Sequence, residues 1–175
     1  VARDLCAEYC VAGNSDILFC EGWHIGLEWA LNNGYHLVGP ISNAPGPTAG
    51  SKAAVDKYVK GYRLNDTPDY LNGLSKDLRT RFPEKVVNGP VNGFFQMAKI
   101  SVWWDRPFDS QNPFSTHKHH RMVHNEDELQ KRWRRMKRKF GIVPSSFIFH
   151  YRAVTRGGSH KKGKWYRLID PERDV

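Results

Sequence analysis

Three consecutive acidic residues, Glu126, Asp127 and Glu128, stand two residues before a basic run at residues 131–139. Acids at the start of a helix and bases further along it suit the helix dipole, so the pattern is typical of a surface helix. It also fits a catalytic carboxylate beside a site for an anionic substrate, because the positive end of a helix keeps a carboxylate ionised and able to accept a proton. The residues alone leave helix capping and catalysis open for Glu126 and Asp127.

A second pair of residues could hold a divalent cation. Asp16 closes the turn Asn14-Ser15-Asp16 after a short apolar run, and His150 ends the apolar run at 147–150. Carboxylate oxygen is the ligand that Mg²⁺ and Mn²⁺ prefer, and imidazole is acceptable to Mn²⁺. The alternatives are a turn residue that bonds its own backbone, for Asp16, and a half-buried structural histidine, for His150.

The net charge of +9 is concentrated in one part of the chain. The segment from Lys118 to Arg167 holds 15 of the 27 Lys and Arg residues and three acids. A one-sided basic region indicates an anionic partner: nucleic acid, a membrane surface or a phosphate-bearing small molecule. The three cysteines are an odd number, which argues against a closed disulfide framework and favours a reducing compartment. We therefore expect a cytoplasmic protein, with peripheral attachment to a membrane surface as an option.

Apolar runs alternate with helical spacing along the 175 residues, which predicts a single α/β domain. In open α/β sheets ligands gather at the carboxyl ends of strands, so Asp16 and His150 are expected at the same edge. The predicted elements are strands at 9–12, 17–19, 35–39 (ended by Pro40) and 142–149, a core segment at 91–102, a loop at 103–114, helices at 23–31 and 126–140, and one or two short helices at best within 52–82.

The order of these segments resembles the family 2 type glycosyltransferases of the GT-A fold, from the metal motif to the C-terminus. Asn14-Ser15-Asp16 resembles the family's DxD turn, and Glu126-Asp127 resembles the acidic pair that holds the base. The other matching segments are 38–43 (VGPISN), 92–99 (NGFFQMAK), 108–109 (FD), 125–132 (NEDELQKR) and 147–150 (FIFH).

The resemblance implies a GT-A-like (nucleotide-diphospho-sugar transferase) mixed sheet flanked by helices, formed by one domain at 1–175 that lacks part of the N-terminal nucleotide-binding half. It implies a metal-dependent inverting glycosyltransferase that moves a sugar from a nucleotide-sugar donor to a hydroxyl of a glycan, lipid-linked or protein acceptor. A partner chain could supply the N-terminal half. The ion would be Mn²⁺ or Mg²⁺ at Asp16 and His150. Matching the acidic pair makes Asp127 the base, and matching Arg132 makes Glu126 the base; of the two, Asp127 is the first choice.

Further residues take roles around that predicted centre. A flexible basic segment at 155–175 and the acceptor-side insertion at 43–82 complete the predicted domain. The basic residues named below could instead be solvated surface charges, and the tryptophans could instead be part of the core. The predicted donor-phosphate ligands are Arg152, Arg156, Lys161 and Lys164, and the predicted acceptor-side residues are Asn92, Gly93, Trp103 and Trp104.

Two other functions fit the same sequence. The basic helix, interleaved with Trp133, could bind phosphates of nucleic acid or of a ribonucleoprotein, although no standard recognition motif is present. The chain could also be a catalytically inactive glycosyltransferase-like module. Four histidines within 117–124 match no standard zinc spacing and are expected near the acceptor or on the surface.

Overall fold

The computed structural model of the protein describes residues 6–43, 57–59, 67–105 and 125–151, with the backbone alone at 104–105 and 125–128. Strands and helices are interspersed along the chain. They are β1 (Tyr9–Gly13), β2 (Ile17–Phe19), α1 (Ile25–Asn32), β3 (Leu37–Ser42), α2 (Pro68–Arg81), β4 (Val87–Asn88), β5 (Phe95–Lys99), α3 (Ile100–Asp105), α4 (Asn125–Arg135) and β6 (Phe140–His150).

The strands form one mixed sheet. Its order is β1-β5-β3-β6-β2, and β4 also pairs with β6. The β3–β6 pair is parallel, and the remaining pairs are antiparallel. Strands β3 and β6 are buried at every position, as expected for strands covered on both faces. The predicted α/β class with a mixed sheet and flanking helices is therefore confirmed.

The sequence predicts that this strand ends at Pro40, but β3 continues past the proline to Ser42. Pro40 pairs with Val143 and the next residue, Ile41, pairs with Phe147, so residues 144–146 of β6 form an irregularity in the ladder. A proline cannot donate a ladder hydrogen bond and is tolerated in strands where pairing is interrupted. The shift in register lets β3 continue to Ser42 despite the proline.

Helix α1 lies against this irregularity of β6. A Cβ atom added at Gly26 would clash with the Ser145 hydroxyl and would lie 2.9 Å from the Ser146 Oγ. Only glycine allows such a close approach of helix and strand. The turn after α1 has Gly34 at φ +87°, which agrees with the left-handed cap predicted at the end of this helix.

The expectation of only short helices within 52–82 is wrong, because α2 contains 14 residues. Its buried side chains are Leu71, Leu74, Ser75 and Leu78, which follow helical spacing and pack on the face of the sheet that includes Phe147 and Phe149. The other residues of α2 are mostly polar, so this narrow apolar stripe is the sequence pattern that indicates a helix here. The spacing of the leucines was the pattern that would have predicted this helix.

Two other boundaries also differ from expectation. Helix α4 ends at Arg135 rather than at Phe140, because the chain turns at Lys137 with φ +58° and Phe140 already belongs to β6. The expected core segment at 91–102 divides into β5 and helix α3, and α3 includes part of the predicted loop at 103–114. In both places only a few residues or none separate a helix from a strand. Side-chain periodicity over so short a stretch does not show where one ends and the other begins.

The core consists of three clusters that tie each helix to the sheet. One joins α2 to β6, a second joins α1 to β3, β5 and β6, and a third joins α4 to β3, β5 and the start of β6. Trp133 of α4 is fully buried in the third cluster, 6.4 Å from the ring of Phe140. No helix in the ranges that the structure describes has the length and apolar character needed to cross a membrane.

The three cysteines are free thiols in different environments. Cys6 is exposed and Cys20 is buried, and burial raises the pKa of the Cys20 thiol to about 11. Because only the thiolate reacts readily, we expect iodoacetamide at neutral pH to alkylate Cys6 in the native protein and to spare Cys20 until the chain unfolds. Peptide mass spectrometry with and without denaturant measures this order. Equal native rates at the two thiols would contradict the burial of Cys20.

Acid should destabilise the fold through His36. Burial, together with the charges of Arg138 and Lys139, lowers the pKa of His36 below its usual 6.5. The unfolded chain then binds the proton more readily, so the free energy of unfolding falls as the pH drops below 6.5. Protonation also removes the acceptor atom Nδ1, which takes a hydrogen bond of 3.2 Å from the Lys139 amide.

We expect His36→Asn to lose less stability than the wild type between neutral and acidic pH, since an asparagine oxygen can accept that bond without titrating near pH 6.5. Chemical denaturation above and below pH 6.5 measures the difference. His24→Asn, at the exposed histidine before α1, is the control. Identical acid sensitivity in the wild type and in His36→Asn would exclude His36 as the source.

Candidate functional site

The fold brings Asp16 and His150 into contact across 134 residues of sequence. The His150 Nε2 atom lies 3.2 Å from the Asp16 Oδ1 atom, and the two side chains are only 5% and 8% exposed. Pairing of β2 with β6 places Ile17 opposite His150, and the Tyr151 amide donates to the Asp16 carbonyl at 2.9 Å. The antiparallel ladder therefore fixes the turn and the strand end relative to each other.

Asn14 places a third polar side chain beside the Asp16–His150 pair. Its Nδ2 atom lies 3.4 Å from His150 Nε2, and its backbone amide donates to the Phe94 carbonyl at 2.9 Å. The backbone bond anchors the turn to residues preceding β5, on the opposite side from β6. The turn that carries Asp16 is thus held from both sides.

Asn43 holds the backbone of His150. The His150 amide donates to Asn43 Oδ1 at 2.7 Å, and Asn43 Nδ2 donates to the His150 carbonyl at 3.2 Å. Asn43 is 4% exposed and directly follows β3, so its carboxamide continues the ladder where the strand ends. The sequence analysis gave Asn43 no role. An asparagine directly after a buried strand was the available signal.

Phe94 fixes the plane of the His150 ring. The two rings stack with centroids 4.9 Å apart and an angle of 14° between their planes. Asn92 is 6% exposed, and Gly93 connects it to Phe94, so the predicted acceptor-side segment reaches the Asp16–His150 pair through this stack. The sequence analysis did not identify Phe94 as a contact of the histidine.

Trp103 lies elsewhere, between β1 and α4. Its Nε1 atom donates to the Cys10 carbonyl at 3.0 Å, and its ring centroid lies 5.5 Å from that of Trp133. The side chain of Trp104 lies outside the described part. Trp133 itself is fully buried, so it offers no face on which a nucleic-acid base could stack.

The start of α4 points toward the edge of the sheet that carries His150. Trp133 contacts Phe140 at the beginning of β6, and Gln130, one turn earlier in the helix, bonds Val91. The Val91 side chain packs over Gly39, which pairs with Ile142, two residues further along β6 than Phe140. Continuing the helix backwards by another turn moves along β6 in the direction of His150. The backbone at 125–128, with the candidate bases Glu126 and Asp127, therefore precedes Gln130 on the site side.

The buried side of α4 distinguishes the two candidate positions. Leu129, Gln130 and Trp133 are all buried. Because an α-helix turns about 100° per residue, position 126 falls between Trp133 and Gln130 around the helix axis, whereas position 127 falls about 60° beyond Gln130. Position 126 therefore shares the helical face of these three buried residues, and position 127 lies at the border of that face.

The geometry of the pair is suitable for a divalent cation. Two neighbouring ligands of an octahedral ion with bonds of about 2.1 Å lie about 3 Å apart, close to the 3.2 Å between Asp16 Oδ1 and His150 Nε2. Among the described residues, no group of three or more His, Cys, Asp or Glu side chains is arranged so that it could hold a metal ion. Ions of this type that bind with a phosphate substrate need only one or two protein ligands.

Several predicted residues lie outside the described ranges. They are the phosphate-binding candidates Arg152, Arg156, Lys161 and Lys164, together with the histidines of 117–124. Their roles remain predictions. Comparison of the chain with protein-family models, with curated proteins and with solved structures gave no match.

Proposed function

We propose that this protein is a metal-dependent glycosyltransferase that moves a sugar from a nucleotide-sugar donor to an acceptor hydroxyl, with inversion at the anomeric carbon. The observation that carries the proposal is the buried contact between Asp16 and His150, which come from a turn after β1 and from the end of β6. The mixed sheet flanked by helices is compatible with a GT-A-like arrangement.

Asp16 and His150 would hold Mn²⁺ or Mg²⁺ through a carboxylate oxygen and an imidazole nitrogen. When bound, such an ion offsets the negative charge that accumulates on the departing diphosphate. The protein supplies the orientation: Asn43 holds the backbone of the histidine and Phe94 holds its ring. Preset ligands need little rearrangement during the reaction, which is the main advantage of such a site.

Glu126 or Asp127 would act as the general base, and the helical position favours Glu126. The carboxylate accepts the proton of the acceptor hydroxyl while the hydroxyl oxygen forms its bond to the anomeric carbon. The bond from that carbon to the diphosphate breaks on the opposite face, so the configuration inverts. The first turn of α4 stabilises the ionised carboxylate before the reaction.

The remaining residues of the proposal bind the two substrates. The acceptor would contact Asn92 and Gly93, and Trp104 would contribute apolar surface on the acceptor side. Trp103 packs between β1 and α4 instead, so the core-packing alternative applies to it. The donor diphosphate would be bound by basic residues beyond His150: Arg152, Arg156, Lys161 and Lys164. A glycan, lipid-linked or protein acceptor fits this scheme, and a partner chain supplying a nucleotide-binding half is compatible with it.

Calorimetric titration of UDP- and GDP-nucleotides in Mn²⁺ and then in chelator tests the proposal. We expect binding that requires the metal and is weakened in Asp16→Asn, followed by sugar transfer when matching donors and acceptors are supplied. Asp77→Asn, at an exposed carboxylate on α2, is the control. Absence of metal-dependent binding would favour an inactive module, and steeply salt-dependent RNA binding would favour the nucleic-acid alternative.

A further inference from the structure

The side chain of Gln130 forms hydrogen bonds with both the backbone amide and the backbone carbonyl of Val91. The Val91 amide donates to Gln130 Oε1 at 2.8 Å, and Gln130 Nε2 donates to the Val91 carbonyl at 2.7 Å. Gln130 is 2% exposed, and both bonds are buried. Because both polar ends of the carboxamide are hydrogen-bonded, the contact fixes the orientation of the Gln130 side chain relative to Val91 as well as the distance between them.

Val91 begins the segment that touches the Asp16–His150 pair. Residues 91–94 lie between β4 and β5, and Phe94 at their end stacks on His150 while its carbonyl accepts the Asn14 amide. One end of this short segment thus contacts α4, and the other contacts the candidate metal ligands.

We propose that Gln130 is a positioning residue that sets the first turn of α4, with its candidate base, at the correct distance from the Asp16–His150 pair. The inference rests on the proposed function and deepens it. The path runs from His150 through Phe94 to Val91, and from Val91 through Gln130 to the helix. Glu126 lies one helical turn before Gln130, so a rotation or shift of the helix at Gln130 displaces position 126 directly.

The expected effect of losing this clamp falls on catalysis rather than on donor binding. A general base must lie within hydrogen-bond reach of its proton, and a displacement of about 1 Å can lower a rate by about 10²-fold. The metal ligands have their own support from Asn43, which does not involve α4. The backbone of His150 therefore keeps its support from Asn43 when the Gln130 bonds are lost, although Phe94 lies at the end of the segment that Gln130 holds.

The test compares three variants of the full chain by steady-state transfer kinetics and by calorimetry with Mn²⁺ and the nucleotide. Gln130→Met keeps the length of the side chain and removes both bonds. We expect kcat to fall by about 10- to 100-fold while the Kd for the metal and nucleotide stays within about twofold. Gln130→Glu keeps an acceptor for the Val91 amide and should recover part of the lost kcat.

Gln96→Met is the matched control. Gln96 is also a buried carboxamide and also approaches the Val91 carbonyl, at 3.4 Å, but it belongs to β5 and not to α4, so its loss leaves both Gln130 bonds in place. We expect its kcat to change much less than that of Gln130→Met. An equal loss of kcat in both variants would overturn the assignment, because it would show a general effect of removing a buried amide.

Amide hydrogen exchange supplies a readout that does not require activity. We expect Gln130→Met to accelerate exchange at the Val91 amide and in residues 125–128, with other strands unchanged. If the wild type transfers no sugar, the proposed function fails while this exchange result still decides the clamp. Unchanged exchange, or a folded variant whose Kd rises by the same factor as its kcat falls, overturns the positioning role. If Gln130→Met does not fold, the same comparison is made with Gln130→Glu.

Discussion

Replacing Asp16 with asparagine is expected to remove metal-dependent nucleotide binding and to lower sugar transfer by about 10³-fold or more, since a metal ion that offsets charge contributes several kcal/mol to the transition state. Asparagine keeps the size of the side chain and an oxygen that can accept a hydrogen bond from the His150 ring. The change therefore removes the charged ligand and leaves the packing around it intact.

Calorimetry with Mn²⁺ and the nucleotide measures the binding, and thermal unfolding without metal checks the fold. We expect the unfolding temperature of Asp16→Asn to stay close to that of the wild type. Asp77→Asn removes an exposed carboxylate that pairs with Arg81 on α2, and its binding should be unchanged. Metal-dependent binding that survives in Asp16→Asn with unchanged Kd would exclude the pair as the metal site.

Replacing the candidate base should separate chemistry from binding. We expect Glu126→Gln to lower kcat by about 10²- to 10⁴-fold with an unchanged Kd for the metal and nucleotide, because a general base acts only on the reacting proton. Asp127→Asn should have a smaller effect, since position 127 lies on the flank of the buried side of α4. Steady-state transfer kinetics and calorimetry together give both quantities.

Glu128→Gln is the matched control, because it removes a third acid from the same helical turn. A comparable loss in all three variants would indicate that the acids act through the helix dipole and not as a base. A large loss in Asp127→Asn alone would assign the base to Asp127, as the acidic pair in the sequence suggested. Retained turnover in both Glu126→Gln and Asp127→Asn would exclude the base assignment.

The candidate site depends on carboxamides in places where regular pairing stops. Asn43 takes over the ladder at the end of β3, and Gln130 connects α4 to a segment between strands. Each supplies a donor and an acceptor at the spacing of a peptide unit, so it satisfies backbone groups that a strand would otherwise pair. Such residues hold the backbone in place beside the proposed metal ligands.

Some of the fold could be predicted from local pattern. Short apolar runs predicted β1, β2 and most of β6, and Gly34 predicted the end of α1. The misses have different causes: at Pro40 tertiary contacts outweighed a local rule, and at α2 the local pattern is a narrow apolar stripe among polar residues. Pro40 is tolerated because β6 shifts register beside it, and α2 forms because four spaced residues bury against the sheet while its remaining surface is polar.

The sequence by itself determined the chemistry available to this protein: a carboxylate in a turn, a histidine at the end of an apolar run, an acidic helix start and a basic C-terminal third. It also determined that strands and helices are interspersed along the chain, because side-chain periodicity is local. The tertiary structure alone decided that Asp16 meets His150 at 3.2 Å, and that Asn43, Phe94 and Gln130 support them. Contacts across 134 residues depend on strand order and register, which pairing throughout the sheet sets and no short stretch of residues encodes.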